Sequence, residues 1–258
     1  MTEHNVVTRD DWLVARNQLR EEVQKRTSLL LLGAAGVAWV VTFERMRGMD
    51  EGPGTDLGGL GWYLGIWVTM TAAMMLPSAL PHVARLARQV PALGFAAGYL
   101  AVWTAYGLAA YGLFWVGTTF DIGWLAWDAA GPYVAGGLIV AAGLYELTPL
   151  KQHSLRRCRS PEQTVGAFRG GLGHGLDCVG CSGGLMVVLF ALGVMSLVWM
   201  AIVAAIIFAE KVLPRGPGLT RVFAVALVVL GIWVAASPGS VPRLTEPGGS
   251  SPMMEMER

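Results

Sequence analysis

"CSGGLMVVLFALGVMSLVWMAIVAAIIFAEK", residues 181–211, holds no charged side chain before Glu210. With its flanks the apolar run extends from His174 to Leu213. A single helix of that length is far too long for one crossing, because a hydrocarbon core takes about 20 residues. The run therefore reads as two spans, 174–193 and 196–213, divided inside "LGVMS" at residues 192–196.

Five further apolar blocks surround it, at 27–43, 60–80, 94–117, 132–148 and 219–236. In a chain that is 54% hydrophobic and 14% charged, such blocks point to an all-α fold, a polytopic transmembrane helix bundle of about seven spans. Helices satisfy their own backbone polar groups, which lipid cannot do for them. The first 26 residues balance five basic against five acidic side chains and show no small-residue cleavage site, so the first span is expected to be retained. Of the 19 Lys and Arg residues, fifteen fall in the N-terminal segment and around the connections after spans 2, 4 and 6. That asymmetry predicts a cytoplasmic N-terminus, an outside C-terminus and a multi-pass protein of the inner (plasma) membrane.

Three regions follow. Residues 1–26, with Thr8-x-x-Asp11 and with Trp12, Leu19 and Val23 near one stripe, predict a cytosolic or interfacial helix. Residues 27–236 make the membrane domain, and 237–258, rich in Gly, Pro and Ser, a disordered tail. A net charge of +1 and the lack of a basic reading surface leave no case for nucleic acid as a partner; the lipid bilayer is the expected one.

"GLGHGLDCVGCSGG", residues 171–184, opens the fifth span and carries the chemistry. On a helix His174, Cys178 and Cys181 form one stripe at i, i+4 and i+7. The stripe rises by about 10 Å, too far for an undistorted helix to close all three around one ion. The dense glycines predict an irregular backbone here, beside a cavity or ligand. Asp177 faces away. The predicted topology brings other groups to the same leaflet: Met70 and Met74 from span two, Glu146 from the end of span four and Glu210 from the end of span six. Glu146 just inside a span calls for a partner or a task, whereas Glu210 next to Lys211 reads first as an ordinary interfacial pair at a helix end. Cys158, with His153 and four basic residues nearby in the connection before span five, is a candidate relay whose thiolate the positive charge would favour.

Thiolate and thioether donors select Cu(I), while cysteine with imidazole also suits zinc, so copper leads if the methionines take part. Met253, Met254 and Met256 in the tail are a weaker soft-metal motif. Three cysteines cannot build a disulfide framework.

At "MTAAMMLPS", "YELTPLKQHSLRRCRSP", "GLGHGLDCVGCSGGLM" and "GVMSLVWMAIVAAIIFAEK" the chain resembles a bacterial family described as predicted metal-binding integral membrane proteins. The resemblance covers most of residues 62–213. It implies that His174, Cys178 and Cys181, with Glu146, Met74, Cys158 and Glu210, occupy family motif positions. Some members carry a further cysteine where this chain has Ser182.

The expected function is soft-metal binding for transport, handover to a metallochaperone or metalloenzyme partner, or metalloenzyme assembly. Cys178, Cys181, His174, Met70 and Met74 would be ligands, with Glu146 and Glu210 supporting groups or proton carriers. The alternatives are a thiol–disulfide oxidoreductase working through Cys178 and Cys181, and an accessory subunit whose stripe is packing alone. A hydrolytic enzyme finds no support, since there is no Ser-His-Asp order and there are only four histidines.

Overall fold

A computed structural model describes residues 9–47, 58–86, 92–119, 131–160, 166–193, 196–213 and 217–237. The chain is all-α. Among the described residues there are eight helices: α1 Arg9–Met46, α2 Leu60–Leu86, α3 Ala92–Thr119, α4 Gly131–Glu146, α5 Pro149–Arg159, α6 Ala167–Leu192, α7 Leu197–Val212 and α8 Pro217–Ala236. The C-terminal tail with Met253, Met254 and Met256 lies outside the described residues.

Each expected apolar block contains a helix, and the long run centred on residue 193 is indeed split. Gly193 ends α6 at φ +105°, a value that favours glycine, and the Ser196 amide turns back onto the Gly193 carbonyl at 3.1 Å. Among the described residues five helices are long and apolar enough to cross a membrane, and α4 with α5 makes a sixth if that pair, bent by 65°, counts as one span. Helix α7 has 16 residues, about 24 Å of rise against a hydrocarbon core of about 30 Å. At the other end of the chain, α1 passes residue 26 without a break, so the expected N-terminal helix and the first apolar block are one element.

The bend before α5 has a local cause. Pro149 disfavours helical geometry at Thr148 and cannot donate to the preceding turn. Thr148 is instead an extended N-cap whose hydroxyl accepts from the Lys151 amide at 3.3 Å. The basic stretch after α4, expected as a connection, is thereby an 11-residue helix. Lys151, Ser154, Leu155 and Cys158, spaced i, i+3, i+4 and i+7, form its buried face.

Close approach of backbones holds the bundle. A Cβ on Gly98 would strike the Phe168 carbonyl, and one on Gly171 the Phe95 carbonyl, so α3 and α6 touch main chain to main chain. Gly136 and Gly231 do the same for α4 and α8. The glycine-rich opening of α6 is therefore regular helix, not the irregular backbone expected from composition. Its glycines admit neighbouring helices: Gly175 faces Val102 of α3, and Gly180 faces Ser154 of α5. Prolines 77 and 81 likewise do not end α2, which continues to Leu86.

Candidate metal centre

Helices α2, α3, α5, α6 and α7 place one polar cluster inside this apolar bundle. On α6, Cys178 and Cys181 are fully buried, and Cys158 reaches them from the buried face of α5. The Cys158 and Cys181 sulfurs lie 3.2 Å apart, too far for the roughly 2.05 Å of a disulfide. All three cysteines are free, and the three thiols hydrogen-bond among themselves. Cys181 also approaches the Cys178 carbonyl and the Ser182 hydroxyl, both at 3.4 Å.

Cys158 departs from its sequence reading. Its basic neighbours Arg156 and Arg157 point outward, whereas the thiol is buried. Hydrogen bonding to Cys178 and Cys181, and then burial, hold it well above the usual thiol range instead of favouring the thiolate. His153 is exposed on the opposite face of α5 and is not brought to the cluster.

Lys211 was expected at a membrane interface beside Glu210. It turns inward: Nζ donates to Cys178 Sγ at 2.8 Å and to Ser78 Oγ of α2 at 3.2 Å. An ammonium has only donors, so the sulfur accepts. The Tyr99 hydroxyl of α3 meets the same sulfur at 3.0 Å.

The carboxylates Glu146 and Glu210 do converge, but on a different cation. Lys151, with no exposed surface, bonds Glu210 at 2.8 Å and Glu146 at closer range, tying α4, α5 and α7 together. The second oxygen of each carboxylate is buried without a hydrogen-bond partner. Arg159 donates to the Glu210 carbonyl and, at 3.3 Å, to that of Leu213, closing the end of α7. Because Lys151 and Cys158 share one face of α5, this anchor also fixes the height of Cys158 over α6. Asp177 is turned to Arg157, with nitrogen–oxygen distances of 3.0 and 3.2 Å.

His174 sits one turn before Cys178 and meets other partners. Its ring stacks on His82 of α2 at a centroid distance of 4.1 Å and packs against Phe95 and Tyr99, each at 5.6 Å. Met70 and Met74 are buried in α2, in register with Ser78 on the following turn. A cavity of about 370 Å³ reaches the cluster and is lined by Ser78, Pro81, His82, Cys158, Arg159 and Lys211, with Val212 and Leu213. Among the described residues, no three His, Cys, Asp or Glu side chains are already disposed around one ion. The donor set nonetheless suits a soft cation, because three thiols share one buried spot.

Lys211, Lys151, His82, Ser78 and Tyr99 were absent from the sequence-derived site. The available signal was helical register: His82 lies four residues after Ser78, and Lys151 seven before Cys158.

The sequence model of a copper chaperone family, PpoB2, matches residues 64–234, which include every element of this cluster. No curated protein and no solved structure matches the chain.

Proposed function

Since the chain belongs to the PpoB2 copper chaperone family, we propose that it is an integral membrane protein that holds Cu(I) as cargo on Cys158, Cys178 and Cys181 and hands it to a metalloenzyme or a second metallochaperone. The single observation that carries this reading is the meeting of three free, buried thiols from two helices beside a cavity. Thiolates are the ligands that select Cu(I), and a cluster shielded from water protects both the ion and the sulfurs from oxidation.

Electrostatics supports the same reading. Three thiolates around Cu(I) leave two net negative charges, or one if a single sulfur keeps its proton, and lipid and apolar side chains cannot solvate them. Lys211 already donates to Cys178, so the countercharge is in place before the ion arrives. Copper binding then exchanges a proton or hydrogen bond at sulfur for a metal bond, while the ammonium stays as neighbour. The Glu146–Lys151–Glu210 anchor keeps α5 seated on α6, so that Cys158 is a ligand supplied by a second helix. Met74 and Met70 continue the α2 face one and two turns deeper than Ser78 and serve as thioether contacts on the inner side of the thiols. Helices α4 and α7 cross the bilayer together with α1, α2, α3, α6 and α8; the seven crossings alternate, and the positive-charge bias then favours a cytoplasmic N-terminus and a cytoplasmic α5. The cavity then opens towards the side from which cytosolic copper comes.

Elemental analysis of anaerobically purified full-length protein, beside a Cys158→Ser/Cys178→Ser/Cys181→Ser variant, tests this. Copper near one or two per chain, lost in the folded variant, is expected. No copper, together with a reversible Cys158–Cys181 disulfide, would move the assignment to thiol–disulfide exchange.

A further inference from the structure

His174 is buried, at 5% exposure, yet neither ring nitrogen has a hydrogen-bond partner. Buried polar groups are almost always satisfied, and an exception calls for an explanation. Packing alone is a poor one, since Leu or Phe would fill the same space without stranding two polar atoms. Its nearest aromatic neighbour is a second histidine: His82, at 9% exposure, is stacked on it at 4.1 Å with 32° between the ring planes. Rings with centroids 4.1 Å apart are close enough for one nitrogen of each to bind a single ion, given metal–nitrogen bonds of about 2.0 Å.

The surroundings connect this pair to open space and to the thiols. A small cavity of about 30 Å³ is lined by both histidines, with Asp177, Arg157, Gly170 and Gly173 among its other walls. His82 also lines the larger cavity that reaches Cys158 and Lys211. Tyr99 stands between the two groups, its ring against His174 and its hydroxyl on Cys178. The glycines at 170 and 173 leave the floor of the small cavity without side chains. His82 is thus the residue common to both spaces.

We propose that His82 and His174 form a bis-imidazole copper station, separate from the thiol cluster, from which the ion passes to Cys158, Cys178 and Cys181. The two stations differ in kind. Imidazole binds copper in either oxidation state, so the Cu(I) cargo crosses this station with no redox step, whereas the thiols select Cu(I) alone. Two neutral imidazoles also hold the ion less tightly than thiolates, so the gradient of affinity runs inward. Asp177 and Arg157, paired with each other, line the same small cavity, so their charges offset and the two imidazoles are the groups offered to the ion. This inference rests on the proposed copper cargo, but its ligands are different residues and can fail independently.

The test uses the full-length triple Cys→Ser protein in detergent, to which Cu(II) is added, since no thiols remain to reduce it. Pulsed electron paramagnetic resonance then reads the remote nitrogens of bound imidazole. Two equivalent imidazoles are expected, and adding His82→Phe, which preserves the aromatic stack, should weaken binding at least tenfold and remove that signature. His174→Phe should do the same. If the folded triple variant binds no copper, or binds it equally well after His82→Phe, the pair is aromatic packing and the inference is overturned. Should the triple variant fail to fold, single His82→Phe in the otherwise native chain gives the same decision: loss of nitrogen neighbours from bound copper, seen by X-ray absorption with sulfur retained, upholds the station. Unchanged nitrogen and sulfur neighbours overturn it. Sulfur neighbours in the native protein report separately on the thiol site.

Discussion

Two buried lysines, Lys151 and Lys211, are held in opposite ways. Lys151 lies between two carboxylates and has no exposed surface, so its charge is met by groups that no cargo ion would displace. Lys211 rests on a thiol and a hydroxyl and borders a cavity. Its sulfur partner is the group a soft metal ion takes. The comparison separates a cation that joins three helices from a cation that stands beside the proposed copper site, although both lie near helix ends, at the start of α5 and the end of α7.

The largest effect is expected where the joining cation is removed. Lys151→Met leaves Glu146 and Glu210 facing each other in the interior, and breaking a buried ion pair from one side costs about 3–5 kcal/mol. Thermal unfolding in detergent should show a large drop in Tm or loss of the folded peak. A variant that keeps its Tm would remove the distinction between the two lysines. Glu210→Gln is the milder version: Glu146 still faces Lys151, so a loss of about 1.5–3 kcal/mol is expected, the range for a hydrogen bond to a charged group.

Lys211→Met should behave in the opposite sense. The thiol of Cys178 can carry a proton when its cationic neighbour is gone, so folding should change by no more than about 1 kcal/mol, as for a hydrophobic replacement of similar volume. Alkylation of the cysteines should slow by about tenfold, because the thiolate is the nucleophile. Copper retention against a competing chelator should fall with it. Normal retention and alkylation in a stable Lys211→Met protein would reduce Lys211 to packing. The smallest effect is assigned to Tyr99→Phe, which removes one hydrogen bond to the Cys178 sulfur worth about 1 kcal/mol and keeps the ring against His174.

What the sequence made legible was set by apolar length. Every long apolar block became a helix, and the break near residue 193 followed from the limit on one crossing together with a glycine in place to end α6. Helix α5 was not legible, because its 11 residues are mostly polar and its buried stripe contains a lysine, a serine and a cysteine. A polar stripe looks like a loop until α6 is packed against it. His82 was missed for a related reason: the apolar block of the second span ends at residue 80, yet the helix carries Pro77 and Pro81 and continues to Leu86. Cys158 was named as a relay, but its contact with Cys181 depends on the 65° bend after α4, which no periodicity predicts. The partner of Lys211 was likewise hidden, since the interfacial pairing with its neighbour Glu210 is the ordinary expectation and the sulfur comes from another helix.

The central claim is that a thiol supplied by α5 joins two from α6 around copper. X-ray absorption at the copper edge, on anaerobically loaded native protein and on Cys158→Ser, addresses it directly. The account predicts sulfur neighbours in the native protein and one fewer in the variant, with weaker retention. Copper with no sulfur neighbours, or a sulfur count untouched by Cys158→Ser in a folded protein, would contradict it.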